Sequence, residues 1–144
     1  MLIKRIGTAS PEYDRVLRLR HQVLRVPIGL SLWEEDLSGD AADIILIALE
    51  GAELIGCLML HPKDAATVKF RQMAVVPGRQ GSGVGRQLVE EGERVAWSEG
   101  FARIELNARE VAAGFYDRLG YRRQGDLFTE VGIPHLLMLK EKEA

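Results

Sequence analysis

The stretch that decides the fold is Val75-Val76-Pro77-Gly78-Arg79-Gln80-Gly81-Ser82-Gly83-Val84-Gly85-Arg86. An apolar run ends here, a glycine-rich loop follows, and a segment with helical periodicity begins. The first turn of a helix carries amide N–H groups without intrahelical partners and the positive end of the helix dipole. Glycines lack the Cβ atoms that would keep an anion away from those amides. The stretch therefore predicts an anion cradle with two flanking arginines, Arg79 and Arg86.

Two common phosphate-binding motifs do not fit this loop. The Walker motif requires Gly-Lys-Ser/Thr, whereas Gly85 is followed here by Arg86-Gln87. The dinucleotide motif G-x-G-x-x-G fails because glycines 81, 83 and 85 are spaced two apart and no glycine stands at position 86. Taken alone, the loop is also compatible with a flexible turn into a helix.

The pattern around the loop predicts one mixed α/β domain over residues 1–144. A helix is predicted from Ser10 to about Arg25, with Ser10 as N-cap and Pro11 as its first residue. Two further helices are predicted at 84–99 and 110–119, and a loop or short helix at 28–42. The predicted strands are 2–7, 43–49, 53–60, 66–76, 102–107, 121–125 and 133–140.

Composition narrows the function classes. The net charge of −2 argues against nucleic acid or an anionic membrane as the main partner, since both favour a basic face. The single cysteine, Cys57, excludes an intrachain disulfide and is expected to be buried in its apolar run. We expect no membrane span, because no window holds about 18 apolar residues. The N-terminus lacks the apolar core of a signal peptide, so a cytoplasmic location is expected.

Two motifs in register carry a family resemblance. The run Gln80-Gly81-Ser82-Gly83-Val84-Gly85 resembles the Q/R-x-x-G-x-G/A signature of the GNAT superfamily of N-acetyltransferases. The preceding Met73-Ala74-Val75 resembles the fourth strand of that family. About thirty residues after the glycine loop, Gly114-Phe115-Tyr116-Asp117-Arg118-Leu119-Gly120-Tyr121 resembles its F-Y-x-x-x-G-F/Y segment. The match covers roughly residues 43–140, and two motifs in order are more specific than either alone.

Other segments resemble the ElaA-like branch of the superfamily, namely Arg20-His21-Gln22-Val23-Leu24, Asp36-Leu37-Ser38-Gly39-Asp40 and Val131-Gly132-Ile133-Pro134-His135. The chain departs from that branch at Val26-Pro27, where Glu-Gln is usual, and at Ser38, where an acidic residue is usual. These departures concern the acceptor and leave the glycine loop untouched.

The resemblance implies a single-domain fold with a central mixed, mostly antiparallel sheet flanked by helices and a V-shaped splay between its fourth and fifth strands. It implies acetyl-CoA as co-substrate, an amine of a small molecule or peptide as acceptor, direct attack on the thioester and no metal. A homodimer is one implied state. The pantetheine arm would run along Met73, Ala74 and Val75. The CoA pyrophosphate would contact the amides of Gln80, Gly81, Ser82, Gly83, Val84, Gly85 and Arg86.

Residue roles follow from the same resemblance. Tyr116 corresponds to a tyrosine that faces the CoA sulfur and can donate a hydrogen bond to the departing thiolate. Lys69 stands where some members carry a glutamate that deprotonates the amine, so the base is sought elsewhere. Glu105 is one candidate, although a solvated strand carboxylate is the simpler interpretation. His135 is another, although a structural histidine is the simpler interpretation.

Three further interpretations stay open or secondary at this point. The acidic stretch Glu34, Glu35, Asp36 and Asp40 can attract cationic amines or can be a solvated loop. Trp33 and Trp97 are expected to pack. The alternatives to an enzyme are a non-catalytic acyl-CoA-binding domain and a small α/β domain with an incidental glycine loop.

Overall fold

The computed structural model describes residues 1–143, so the last residue of the predicted 1–144 domain lies outside it. Among the described residues, no helix is both long and apolar enough to cross a lipid bilayer. The strands and helices are β1 (Leu2–Ile6), α1 (Tyr13–Arg20), β2 (Ile44–Glu50), β3 (Glu53–Pro62), β4 (Thr67–Val75), α2 (Val84–Ser98), β5 (Arg103–Arg109), α3 (Ala113–Arg118), β6 (Arg122–Glu130) and β7 (Ile133–Glu141).

The seven strands form one sheet in the order β1-β2-β3-β4-β5-β7-β6. Every neighbouring pair is antiparallel except β4 and β5, which run parallel. Because side chains alternate across a strand, β2 supplies both faces of the sheet. Leu46 packs in the core beneath α2 and α3, while Ile45 and Ile47 pack in the core beneath α1. This architecture confirms the predicted mixed, mostly antiparallel sheet flanked by helices.

The sheet splits between its two parallel strands. Residues Thr67–Phe70 of β4 pair with Arg103–Leu106 of β5, and the pairing stops there. Beyond this point β4 continues to pair with β3 alone, as at Ala74 and Val75. Strand β5 continues to Arg109 and is paired there only along its other edge, with β7, where Arg109 lies opposite His135. The predicted V-shaped splay between the fourth and fifth strands is therefore present.

A β-bulge in β4 begins just after the last residue that pairs with β5. Met59 of β3 pairs with Arg71, but Cys57, two residues earlier, pairs with Ala74, three residues later, so β4 holds one extra residue. Gln72 within this bulge has a φ of +55°, a conformation rare for residues other than glycine. A bulge bends its strand and increases the local twist, and this turns the end of β4 away from β5.

The predicted start of the first helix at Ser10 was wrong, whereas its predicted end near Arg25 matches the end of the helical run. The Ser10 hydroxyl accepts from the Gly7 N–H at 3.0 Å instead of capping the helix, which begins at Tyr13. Helix α1 ends at Arg20 and continues as a π-helical turn, His21–Arg25. Residues 26–42 then contain three short 3₁₀ turns, Val26–Ile28, Leu32–Glu34 and Ser38–Ala42. The predicted 110–119 helix begins as a 3₁₀ turn, Glu110–Ala112, before α3.

The packing predictions had mixed outcomes. Cys57 is fully buried, as expected, and Trp97 packs against the core beneath α2. Trp33 was expected to pack but is 55% exposed, with its ring 5.3 Å from the His21 ring. The reason is local, because the 3₁₀ turn around Leu32 buries that leucine and leaves its neighbour facing solvent.

The bulge predicts an unusual stability order at position 72. Valine normally stabilises a strand more than glycine does, but a β-branched residue is strained at positive φ. We expect Gln72→Gly to be more stable than Gln72→Val by about 1–2 kcal/mol. Both variants lose the Gln72 side-chain amide, so the difference between their free energies of unfolding reports on the backbone conformation at position 72. Urea unfolding measures it, with Thr129→Gly and Thr129→Val in edge strand β6 as the control pair. A more stable valine at both positions would contradict the bulge as described.

Candidate functional site

Two cavities meet where the sheet splits. The first, here called the strand cleft, has a volume of about 470 Å³ and lies between the separated ends of β4 and β5. The second, here called the glycine-loop slot, has a volume of about 700 Å³ and lies between the glycine loop and α3. The residues that line both cavities, and so mark their junction, are Val23, Met73, Gln80, Ala112 and Tyr116.

The glycine loop is folded by its own backbone. Strand β4 ends at Val75, and a single 3₁₀ turn follows at Pro77–Arg79. Gly81 and Gly83 have φ values of +81° and +93°, in the left-handed region that favours glycine. The Gln80 side-chain amide donates to the Val75 carbonyl at 3.1 Å and ties the loop to the end of the strand. These contacts direct the chain into α2.

Helix α2 begins with unsatisfied amides. Its N-cap is Gly83, which has no side chain to accept a hydrogen bond from the first turn. The N–H groups of Val84, Gly85 and Arg86 occupy this turn, where intrahelical partners are missing and the dipole is positive. Arg79, Arg86 and Arg118 also line the slot. Backbone donors and arginine side chains together make the slot suitable for a phosphate-bearing ligand.

Most residues predicted from the sequence for this slot do line it. The two exceptions are Ser82, which is exposed and donates its hydroxyl to the Arg79 carbonyl, and Val84, whose side chain is buried beneath α2. Both lie within the loop, so their backbones stay beside the slot. The predicted residues that line the slot are Met73, Ala74, Val75, Gln80, Gly81, Gly83, Gly85 and Arg86.

Tyr116 lies at the junction of the two cavities. Its ring packs edge-on against Phe115 at 4.9 Å and against Tyr121 at 5.7 Å, measured between ring centroids. Within residues 1–143 its hydroxyl makes no hydrogen bond, although the ring is half-buried. Burial raises the pKa of the Tyr116 phenol to about 12. The hydroxyl is therefore a protonated, unpartnered donor at neutral pH.

A buried ion network holds the segment after α1 against β4. Asp40 accepts from Arg20 at 2.7 Å, from Arg71 at 2.8 Å and from the Tyr13 hydroxyl at 2.6 Å. Arg71 also donates to Asp43 at 2.8 Å, and that carboxylate is fully buried. The network connects α1, the 3₁₀ turn at Ser38–Ala42 and β4. It therefore fixes one wall of the strand cleft.

The ion network and separate local hydrogen bonds occupy most of the acidic residues that were considered as an attractor for cationic amines. Burial favours the neutral form of Asp40, but hydrogen bonds from Tyr13 and Arg20 outweigh it and lower its pKa. Glu35 is bound by Arg25 at 2.5 and 3.1 Å, and the hydrogen bond from Arg25 lowers its pKa. Asp36 caps the Ser38 amide at 3.0 Å. Three of the four carboxylates thus hold local structure.

The two proposed bases lie in different places. Ile104 and Leu106 point into the core, so Glu105 points to the opposite face. There its carboxylate accepts from Lys63 at 2.9 Å, and it does not line the strand cleft. Strand β5 is still paired with β4 at this position, so the split has not begun. The structure thus does not bring Glu105 to Tyr116.

His135 does line the strand cleft, together with Glu130, which the sequence did not single out. Its Nδ1 donates to the Ile133 carbonyl at 2.7 Å, and its Nε2 lies 3.4 Å from a Glu130 carboxylate oxygen. The ring stacks on Phe128 and is 5% exposed. The Val131-Gly132 turn signal between Glu130 and His135 could have indicated a hairpin that brings the two together.

The sequence matches the family model described as acetyltransferase (GNAT) domain over residues 41–123. A Bacillus subtilis protein, YyaT, described as uncharacterised, is 35% identical over an alignment of 152 positions, gaps included, that covers 98% of this chain and 96% of that protein. Another B. subtilis protein, BSU40680, whose name carries a provisional acetyltransferase assignment, is 33% identical over 78 residues. That match covers 54% of this chain and 53% of the relative, so the chain matches about half of the relative's length.

Solved structures share the fold. A Lactobacillus plantarum protein with a provisional N-acetyltransferase assignment superposes with a TM-score of 0.84 at 28% identity, over 98% of this chain and 99% of its own. Escherichia coli ElaA superposes with a TM-score of 0.85 at 20% identity, over 98% of this chain and 100% of its own. An aminoglycoside 6'-N-acetyltransferase in complex with coenzyme A superposes with a TM-score of 0.80 at 20% identity, over 98% of this chain and 97% of its own. The last two similarities show the fold alone.

Proposed function

Because the chain belongs to the GNAT family of acetyltransferases, we propose that it transfers the acetyl group of acetyl-CoA to an amine of a small molecule or peptide. The observation that carries this proposal is the position of Tyr116 at the junction of the two cavities. The glycine-loop slot suits the CoA moiety and the strand cleft suits the acceptor. At their junction a donor thioester and an amine can meet.

Acetyl-CoA supplies an acetyl group activated as a thioester. The slot fits its phosphates, since the α2 first turn offers uncapped amides and Arg79, Arg86 and Arg118 add positive charge. The end of β4 fits an extended arm, since its edge facing β5 has lost its strand partner beyond Phe70. Unpaired strand edges bind extended ligands through main-chain hydrogen bonds.

Tyr116 acts as a hydrogen-bond donor to the sulfur as the carbon–sulfur bond breaks. With a pKa of about 12, the phenol lies about three to four pK units above a thiol of pKa ~8.5, so complete proton transfer is uphill. A donor that strengthens its hydrogen bond as negative charge grows on sulfur still stabilises the transition state.

The amine must lose a proton before its nitrogen can bond to the acetyl carbon, because an alkylamine of pKa ~10.4 is protonated at neutral pH and has no free lone pair. Among the side chains lining the strand cleft, Glu130 and His135 are the two that can accept it. Nδ1 of His135 holds its proton on the Ile133 carbonyl, so Nε2 is the ring atom that faces Glu130. We assign the proton acceptor to this pair.

CoA binding is predicted to depend on Arg86 and not on Arg94. Both arginines are exposed on α2, Arg86 at its first turn beside the slot and Arg94 in its second half, where it pairs with Glu91. We expect Arg86→Met to raise the CoA dissociation constant roughly tenfold or more, the value of a charge-assisted hydrogen bond. Calorimetry at low and high salt measures it. Equal affinities for Arg86→Met and Arg94→Met would place the phosphates elsewhere.

The Tyr116→Phe variant is predicted to bind CoA normally and to turn over slowly. Phenylalanine keeps the ring packing, so only the hydroxyl is lost. We expect kcat and kcat/KM to fall together by roughly 10²-fold. Because the pKa of Tyr116 is raised, its donor form persists above pH 10, and the wild-type rate should show no loss from its ionisation up to that pH.

The matched control for this prediction is Tyr121→Phe. It removes the hydroxyl of the neighbouring tyrosine, which donates to Glu93 at 2.8 Å and lines neither cavity. We expect its kcat to stay near the wild-type value. Normal CoA binding with unchanged kcat in Tyr116→Phe would mean that solvent protonates the thiolate. Normal binding without turnover of any amine in the wild type would favour a non-catalytic CoA-binding domain.

Removal of the cleft carboxylate is predicted to slow the reaction most near neutral pH. We expect Glu130→Gln to lower kcat by about 10²-fold at pH 7 and by less at high pH, where the amine is already deprotonated. Glu105→Gln makes the same chemical change outside the cleft and should leave the pH–rate profile unaltered. The reverse result, in which only Glu105→Gln lowers kcat, would identify Glu105 on β5 as the base.

A further inference from the structure

Four cationic side chains line the strand cleft, and two of them are already neutralised. Arg25 is bound by Glu35 at 2.5 and 3.1 Å. Arg71 is bound by Asp40 and Asp43, both at 2.8 Å. These ion pairs stabilise the wall of the cleft, so the charges of Arg25 and Arg71 are not available to a ligand.

The other two, Lys69 and Arg109, have no anionic partner within residues 1–143. Arg109 donates to the Leu24 carbonyl at 3.3 Å, which leaves most of its guanidinium N–H groups unpaired. Lys69 makes no hydrogen bond or ion pair, because Glu105, its register partner on β5, is bound by Lys63. Partly buried cations without a counter-ion attract an anion from solution.

These two cations are separate from the cations of the glycine-loop slot. Arg79, Arg86 and Arg118 line the slot and not the strand cleft, whereas Lys69 and Arg109 line the strand cleft and not the slot. Lys69 also lines a neighbouring cavity, whose carboxylates are the already bound Glu35, Asp36 and Asp40. The phosphates of CoA therefore have their own donors on the far side of Tyr116. The one carboxylate that lines the cleft is Glu130. The acceptor thus enters a cavity with two unneutralised positive charges and a single negative one.

We propose that the acceptor is an amine that carries a carboxylate next to the amine, in the manner of an α-amino acid. This inference rests on the acetyl transfer proposed above. Arg109 and His135 are direct cross-strand partners, so their Cβ atoms are about 5 Å apart. An amine whose proton passes to the Glu130–His135 pair can therefore place an adjacent carboxylate on the Arg109 guanidinium, whose planar fork matches it.

Charge and size both favour this class of acceptor. A polycationic acceptor such as an aminoglycoside, the substrate named for one structural neighbour, would bring several positive charges to Lys69 and Arg109. A carboxylate reduces the positive charge of the cleft, and Lys69 adds long-range attraction for it. The volume of about 470 Å³ lies within the range of small-molecule pockets.

The experiment compares each of a panel of L-amino acids with its amide and with its decarboxylated amine, in acetyl-CoA assays. Amidation removes the negative charge and keeps the size. We expect kcat/KM for the favoured amino acid to exceed that for its amide by roughly 10–100-fold. Arg109→Met should abolish the difference and Lys69→Met should reduce it. Arg123→Met, on β6 outside the cleft and paired with Asp117, should leave it intact.

A binding arm separates the two proposals. The same amino acids and amides are titrated by calorimetry into protein saturated with CoA. If amides and decarboxylated amines are acetylated as efficiently as amino acids, the proposed recognition of a carboxylate is wrong, and the proposed acetyl transfer is unaffected. Arg109-dependent binding of amino acids without turnover would uphold the carboxylate site and overturn the acetyl transfer. Preference for O-phosphoethanolamine or 6-aminohexanoate over every amino acid would also overturn the α-amino acid geometry.

Discussion

Strands β4 and β5 exchange backbone hydrogen bonds only as far as Phe70 and Leu106, and the rest of the molecule is arranged around that limit. The bulge at Gln72 turns β4 away, while β5 stays paired along its other edge with β7 over its full length. A sheet edge inside a domain normally costs free energy, because its polar groups lose water. Here the edge of β4 opens into the strand cleft, so the backbone groups of β4 that no longer pair with β5 are available to a ligand.

The buried ion network stabilises this opening from one side. Arg71 follows the last paired residue of β4, and its guanidinium reaches Asp40 and Asp43 in the segment that precedes β2. Removing one partner of such a network leaves a buried charge uncompensated, which is strongly destabilising. Because all of its partners are needed, the ion network holds the segment before β2 in a fixed position against β4. It holds the π-helical turn that carries Val23 and Arg25 over the cleft.

The charges of the site are divided by position. The slot arginines and the first-turn amides of α2 lie on the side that suits a phosphate group, and Tyr116 lies between the two cavities. The Glu130–His135 pair lies beside Arg109, which is the partner of His135 on the neighbouring strand β5. Each group suits a different part of one transfer reaction. Proton removal, thiolate stabilisation and carboxylate binding require donors and acceptors in different protonation states. The structure places Tyr116 at the junction of the two cavities and Glu130, His135 and Arg109 in the strand cleft.

The sequence by itself determined the elements whose signals are local. The glycine loop, its place before α2 and the aromatic segment with Tyr116 follow from residues close together in the chain, and they were sufficient to predict the family fold. The family resemblance that these motifs carry also implied the splay between the fourth and fifth strands. Helix boundaries near Ser10 and the exposure of Trp33 were wrong, because capping and burial there depend on neighbours that a local pattern does not include.

Only the tertiary structure decided which charged side chains remain free. Glu35 and Asp40 had the sequence character of an acidic mouth, yet arginines from α1, its π-helical turn and β4 bind them. Glu105 and Glu130 both belong to strands, and strand register places one beside Lys63 and the other beside His135. Ion pairing depends on distances of a few ångströms between residues far apart in the chain. No periodicity encodes those distances, so the charge arrangement of the strand cleft became visible only in the folded protein.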